Sequence, residues 1–127
     1  MAIHPASLQA TEYGLCVATQ GGSSAFFQYA AAVFDGQDGL ASPDGASLTI
    51  NNAVVKAGLD PAKLATCAAS PEIKAQIDAS LKLASDLGVS QVPTLMINGR
   101  SIPANMPYET LKKIVEFQAK LDGISLQ

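Results

Sequence analysis

The chain has 127 residues, of which 48% are apolar, so it is long enough to bury a core and too apolar to remain unfolded. Eight Lys and Arg against eleven Asp and Glu leave a formal net charge of −3. The basic residues are scattered singly and form no basic face, which excludes a typical nucleic-acid partner. No apolar run approaches the roughly 20 residues of a membrane helix, so we also predict no membrane partner.

The sequence contains few residues or motifs that could bind a metal ion or a cofactor. The one histidine is His4, and the two cysteines are Cys16 and Cys67. No two of these have the short spacing of zinc motifs, so we predict no metal site. Gly21-Gly22 lacks the lysine of a phosphate-binding loop, and no Gly-x-Ser-x-Gly motif is present. The sequence therefore predicts no cofactor.

The first part of the chain is predicted to be helical. A helix from about Ser7 to Thr19 is ended by Gly21-Gly22, and a second helix runs from about Ser23 to Phe34. We expect the aromatic residues of this second helix to lie in the core, with a peptide groove lined by some of them as the alternative. These aromatic residues are Phe26, Phe27, Tyr29 and Phe34.

The middle of the chain contains clear helix boundaries. Residues 35–45 are rich in glycine and read as a loop, and a helix is expected at Ser47–Ala57. Asp60-Pro61 and Ser70-Pro71 each place a capping side chain before a proline at the first helical position. The first pair predicts a short helix and the second a long one, which Gly88 ends.

A β-hairpin is predicted near the end of the chain. Thr94–Ile97 is a strand, Asn98-Gly99 is a strong hairpin signal, and Arg100–Ile102 is the return strand, closed by Pro103. Three consecutive apolar residues in the first strand indicate that both of its faces are buried inside a sheet. The return strand covers only one side, and Met1–Ile3 is the only other strand-like segment. The sheet therefore lacks one or two strands, and either a partner chain supplies them or the N-terminal segment is used for this purpose.

The sequence from Gly88 to Arg100, Gly-Val-Ser-Gln-Val-Pro-Thr-Leu-Met-Ile-Asn-Gly-Arg, resembles the cis-proline hairpin of thioredoxin-fold proteins. In that fold, Gly-Val at a helix end leads to Val-Pro-Thr, a strand, Asn-Gly and a basic residue. A last helix follows, predicted here from Pro107 to about Leu121. The helical block before it, with Ser-Pro-Glu opening a long helix, resembles the DsbA group, which carries a helical insertion.

This resemblance implies the fold class. We expect an α/β protein, mostly helical by content, with an incomplete thioredoxin-like fold of the DsbA type. It would form a single domain over residues 1–127, with the helical insertion at about 7–87 and the hairpin plus final helix at 92–122. The first strand of that fold, the Cys-x-x-Cys segment and most of the second strand would lie before Met1.

The resemblance also implies a function. The chain would be a portion of a thiol–disulfide oxidoreductase, either a fragment or a chain whose reading frame is taken from an internal start. The sequence contains no Cys-x-x-Cys, so we predict no catalytic residue and no redox exchange by this chain alone. In the DsbA group, the residue before the cis-proline contacts a bound peptide through its backbone, and this maps onto Val92 and Pro93. The alternative for these two residues is an ordinary turn before a strand.

Two interpretations of Cys16 and Cys67 remain open. They are either buried free thiols, which pack as small apolar side chains, or a structural disulfide that joins the first helix to the later helical segment. Some exported DsbA-like proteins have a second cysteine pair in these helices. A disulfide would fit a periplasmic or other extracytoplasmic location.

A different class of function is the alternative to the oxidoreductase. The chain could be a non-redox thioredoxin-fold module for binding or assembly that pairs through its exposed sheet edge. The expected partners are a protein or peptide substrate and a second copy, in a homodimer or a strand-exchanged oligomer. The unpaired apolar strand Thr94–Ile97 motivates the self-association.

Overall fold

The structure is a computed structural model that describes residues 6–103 and 105–125. The chain divides into two compact units, Met1–Ser80 and Leu81–Gln127. The elements are, in chain order, α1 (Ser7–Asp35), a 3-10 helix (Gln37–Ala41), α2 (Pro43–Lys56), α3 (Pro61–Ala68), α4 (Pro71–Asp86), β1 (Thr94–Ile97), β2 (Arg100–Pro103) and α5 (Tyr108–Leu121). The predicted mostly helical content is confirmed. No described helix is long and apolar enough to cross a lipid bilayer.

A single glycine divides α1 into two helical halves. Gly22 has φ 76° and ψ −175°, a backbone conformation that residues with a side chain almost never adopt. The α-helical hydrogen-bond pattern cannot continue through this residue, so α1 is kinked there. The break predicted at Gly21-Gly22 is confirmed.

The prediction of a loop at residues 35–45 is wrong for most of these residues. Gln37–Ala41 forms a 3-10 helix, and α2 begins at Pro43, four residues before the predicted start. The Ser42 hydroxyl accepts a hydrogen bond from the Gly45 N–H at 3.2 Å, the usual N-cap arrangement. A Cβ on Gly45 would overlap the carbonyl oxygen of Gly39. The glycines here thus permit a close backbone approach rather than marking a loop.

The starts of α3 and α4 agree with prediction. The Asp60 carboxylate accepts a hydrogen bond from the Ala62 N–H at 2.9 Å, and the Ser70 hydroxyl accepts one from the Ile73 N–H at 3.4 Å. In α3, Pro61 occupies the first helical position, where its missing N–H leaves no partner unsatisfied. Local capping chemistry therefore predicts where these two helices begin.

The core of the first unit lies where α1, α2 and α3 meet. Its largest fully buried side chains are Val17, Ile50, Val54, Leu64 and Cys16. A disulfide with an Sγ–Sγ distance of 2.04 Å joins Cys16 of α1 to Cys67 of α3. Of the two interpretations of these cysteines, the disulfide is confirmed.

The aromatic residues of α1 do not form a core cluster. Tyr29 is 3% exposed, and its hydroxyl donates a hydrogen bond to the Ala10 carbonyl oxygen at 2.8 Å. Burial, with a smaller contribution from Tyr13, raises the pKa of Tyr29 above its usual range. Phe27 and Phe34, however, are 70% and 71% exposed. The prediction that Phe27 and Phe34 lie in the core was wrong. Apolar residues occur on all sides of α1, whereas the neighbouring elements cover only one side of it.

The second unit contains the predicted hairpin. β1 and β2 are antiparallel, with Ile97 opposite Arg100 across a two-residue turn. Asn98 and Gly99 have φ values of 48° and 77°, as a type I′ turn requires. Among the described residues, β1 pairs with β2 alone.

The expected burial of both faces of β1 is not observed. Leu95 is 36% exposed and Met96 is 42% exposed. A strand buried on both faces needs further layers or strands around it, and the described residues supply only β2 as a neighbour of β1. The segment Met1–Ile3, predicted as the other strand-like stretch, lies outside the described residues.

Candidate functional site

The candidate site begins where α4 ends. Gly88 has φ 69°, a conformation suited to glycine, and the next N–H, that of Val89, donates to the Ala84 carbonyl at 2.9 Å. The chain then leaves the helix and enters β1. The Thr94 hydroxyl donates to the Gln91 carbonyl oxygen at 2.6 Å and closes the intervening turn. These contacts hold residues 91–94 in a defined conformation.

Val92 and Pro93 occupy the exposed part of this turn. Val92 is 71% exposed, and Pro93 is exposed as well. The peptide bond between them is cis. Within residues 6–103 and 105–125, neither the N–H nor the C=O of Val92 makes a hydrogen bond. The turn therefore presents one unpaired backbone donor and one unpaired acceptor directly before β1.

The two outer edges of the hairpin differ in their hydrogen-bonding groups. In an antiparallel pair, opposed residues alternate between hydrogen-bonded and non-hydrogen-bonded pairs, and the residues flanking a two-residue turn are bonded. The register therefore directs the N–H and C=O groups of Thr94 and Met96 away from β2. On the other edge, Pro103 has no N–H to offer. The β1 edge is complete as a pairing surface, whereas the β2 edge is not.

A carboxylate after the end of α5 anchors the hairpin turn. Asn98 Nδ2 donates to Asp122 Oδ2 at 2.6 Å, and Arg100 Nη1 donates to the same oxygen at 3.1 Å. The hydrogen bond from Asn98, then that from Arg100, and finally the positive charge of Arg100 lower the pKa of Asp122. Sequence reasoning missed this contact, since 22 or more residues separate Asp122 from its partners.

The two cysteines are bonded to each other and offer no free thiol. Cys16 is fully buried, Cys67 is half-buried, and their sulfur atoms are bonded to each other. Thiol–disulfide exchange requires a thiolate that can approach a disulfide sulfur. The described residues contain no free cysteine, so no thiolate is available for exchange while the Cys16–Cys67 disulfide is intact.

Metal-binding groups are not assembled in the part of the chain that the structure describes. No three His, Cys, Asp or Glu side chains are grouped there so as to hold a metal ion. His4 lies outside the described residues.

A half-open, largely apolar cavity of about 680 Å³ lies in the first unit. Val33 and Phe34 of α1 line it together with Leu40 of the 3-10 helix and Ala10. Asp38 is its only charged lining residue among those described. The cavity is the nearest counterpart of the predicted peptide groove, but of the predicted aromatic residues only Phe34 contributes to it.

The helix α4, the turn at Val92-Pro93, the antiparallel hairpin and the helix α5 follow one another in the order typical of a thioredoxin-like α/β protein. A thioredoxin family model matches residues 2–117. The chain therefore belongs to the thioredoxin family. A search of curated proteins and a search of solved structures found no match.

Proposed function

We propose that this chain binds extended peptide or protein segments at Val92 and Pro93 and does not itself exchange thiols and disulfides. Within the thioredoxin family we assign it to the DsbA group, as a portion of such an oxidoreductase. The helical unit that precedes the hairpin supports this assignment. The observation that carries the proposal is the exposed turn before β1, with its unpaired backbone donor and acceptor.

An extended peptide suits this turn for a physical reason. Peptide recognition beside a strand uses main-chain hydrogen bonds for affinity, and these require an unpaired N–H and C=O on the receptor. Val92 has both groups unpaired among the described residues, and its 71% exposure leaves room for a ligand. The adjacent β1 edge continues the same pattern through Thr94 and Met96.

The lack of redox activity follows from the state of the sulfur atoms. The sequence contains two cysteines and no Cys-x-x-Cys. Both cysteines are in the Cys16–Cys67 disulfide, whose Cys16 sulfur is buried in the core. A protein disulfide of this kind persists in oxidising compartments, which supports an extracytoplasmic location.

Peptide binding can be tested by nuclear magnetic resonance. We would titrate the ¹⁵N-labelled chain with a short unstructured peptide free of cysteine and follow the backbone amides. The largest shifts are expected at Val92, Thr94 and Met96, because their N–H groups would become hydrogen-bonded. Shifts confined to the helices of residues 7–80, or no shifts at millimolar peptide, would contradict the proposal.

Two substitutions at one position separate the backbone from the side chain. Val92→Ala retains the N–H group and is expected to bind the peptide within about threefold of the native affinity. A threefold change in affinity corresponds to less than about 1 kcal/mol of binding free energy. Val92→Pro removes the N–H group and should weaken binding by about tenfold, the value of one hydrogen bond. Equal binding by both variants, each folded by circular dichroism, would argue against backbone recognition.

The exposed β1 strand favours a second candidate function. Leu95 and Met96 are partly exposed on a strand that has one neighbour among the described residues. An unpaired apolar edge of this kind attracts another chain. In this alternative the chain is a non-redox thioredoxin-fold module for binding or assembly, and its sheet edge is the interaction surface.

A further inference from the structure

Considering residues 6–103 and 105–125, the hairpin has one edge that is protected and one that is open. Natural proteins protect exposed edges with lysine, proline, bulges or very short strands. The β2 edge ends in Pro103, which cannot donate a hydrogen bond. The β1 edge has no charged residue and no proline between Thr94 and Ile97, and its register with β2 contains no bulge. An additional strand would therefore pair with β1 rather than with β2.

The backbone groups of the β1 edge are self-complementary. Thr94 and Met96 direct their N–H and C=O groups outward, and Leu95 lies between them. If two such edges meet in antiparallel orientation, Thr94 of one chain lies opposite Met96 of the other. Each of these two residue pairs can exchange two hydrogen bonds, so four bonds form around a twofold axis at Leu95. Within β1, no other antiparallel register of this edge with itself pairs both Thr94 and Met96.

We propose that a second copy of this chain pairs antiparallel with the β1 edge, with Thr94 opposite Met96 and the two Leu95 side chains facing each other. This inference deepens the second candidate function and rests on it. A C2 dimer of this kind is isologous, because the same surface serves both subunits.

The side chains on this edge also suit a second copy. Leu95 and Met96 are 36% and 42% exposed, so each can lose apolar surface to water when the edge is paired. The nearest charge in the hairpin, Arg100, forms an ion pair with Asp122 at 3.1 Å. Its positive charge is therefore partly neutralised within one subunit, and like-charge repulsion between subunits is small.

The size of the contact sets the expected strength. Four residues per strand make a small interface compared with the ~1,600 Å² of stable complexes. We therefore expect a dimer that dissociates on dilution. Sedimentation velocity over a concentration series should show a monomer–dimer equilibrium for the native chain. A single monomeric species at every concentration would overturn the proposal. Pairing of the β1 edge with another segment of the same chain would give this result.

A charge at the twofold axis tests the register. Leu95→Lys places two like charges directly opposite each other and removes the leucine contact, so the dimer dissociation constant should increase by about tenfold. Ser101→Lys introduces the same charge on the β2 edge and is the matched control, which should dimerise as the native chain does. Equal weakening by both variants would contradict pairing through β1.

Complementary charges supply a test that loss of folding cannot mimic. Leu95→Lys and Leu95→Glu should each be more monomeric than the native chain, whereas an equimolar mixture should form a heterodimer, because opposite charges then face each other. A mixture as monomeric as its components would overturn the register. Peptide titration at Val92 is measured separately, so failure of this dimer is distinguishable from failure of peptide binding.

Discussion

At the scale of single residues, Asp122 gives the clearest electrostatic prediction. Its folded pKa is lowered, first by the Asn98 hydrogen bond and then by Arg100. Stability from a carboxyl group with a lowered pKa is fully present above its unfolded pKa of about 3.9 and is lost as pH falls through the folded value. The contact between the hairpin turn and the residue after α5 should therefore weaken below about pH 4.

Replacing Asn98 by glycine tests this cause. Asn98→Gly retains the φ of 48° that the turn needs and removes the amide donor. We expect the pKa of Asp122 to rise toward its ordinary value, measured from the ¹³C carboxyl shift against pH. The native chain, titrated in parallel, serves as the reference. An unchanged Asp122 midpoint would show that Asn98 does not lower its pKa.

Residues that contact distant parts of the chain were the hardest to predict. The capping roles of Asp60 and Ser70 follow from their immediate neighbours in sequence, and both were predicted. The contact of Asp122 with Asn98 depends on where a hairpin and the last helix lie, which no local pattern encodes. The exposure of Phe34 likewise depends on which side of α1 the other helices cover.

At the scale of elements, the two halves of α1 depend on Gly22. Its backbone conformation costs about 1–3 kcal/mol for a residue with a Cβ. A Cβ there would meet no atom within 4 Å, so the cost is one of backbone conformation and not of collision. Gly22→Ala should lower the free energy of unfolding by that amount in urea titrations.

The adjacent position supplies the control for this prediction. Ser23→Ala changes an exposed residue on the same helix and should alter stability by less than about 0.5 kcal/mol. If Gly22→Ala is as stable as the native chain, the kink in α1 is not required, and a straight helix is compatible with the sequence.

The disulfide links two further elements, α1 and α3. It closes a loop of 51 residues, and in the chain-entropy model a loop of that length stabilises by about 4 kcal/mol at most. Reduction should therefore lower the urea midpoint without changing the hairpin. Thiol titration of the unfolded chain should find no free thiol before reduction and two after it. Two titratable thiols without reductant would contradict the disulfide.

The elements themselves were predicted well where the signals are local. Asn98-Gly99 between two strand-like segments predicts the hairpin, and a capping residue before proline predicts the start of α3 and α4. The same signal at Ser42-Pro43 was missed, because the surrounding glycines indicated a loop. A glycine in the sequence can indicate either a turn or a close approach of two backbone segments. Only the packed structure distinguishes these two roles.

At the scale of the whole molecule, the family and the state of the cysteines lead to different expectations. Membership of the thioredoxin family suggests an oxidoreductase-like fold. The sulfur atoms of this chain are instead paired with each other across two helices. We therefore expect binding without redox turnover, and the absence of Cys-x-x-Cys from the sequence leads to the same prediction.

The most direct test is the reduction of insulin by this chain with dithiothreitol as the electron donor. The account predicts that insulin precipitates no faster than in dithiothreitol alone, because the chain offers no accessible dithiol pair to relay electrons. A thioredoxin with an intact Cys-x-x-Cys serves as the positive control. Turnover that rises in proportion to the concentration of this chain, well above background, would contradict the account.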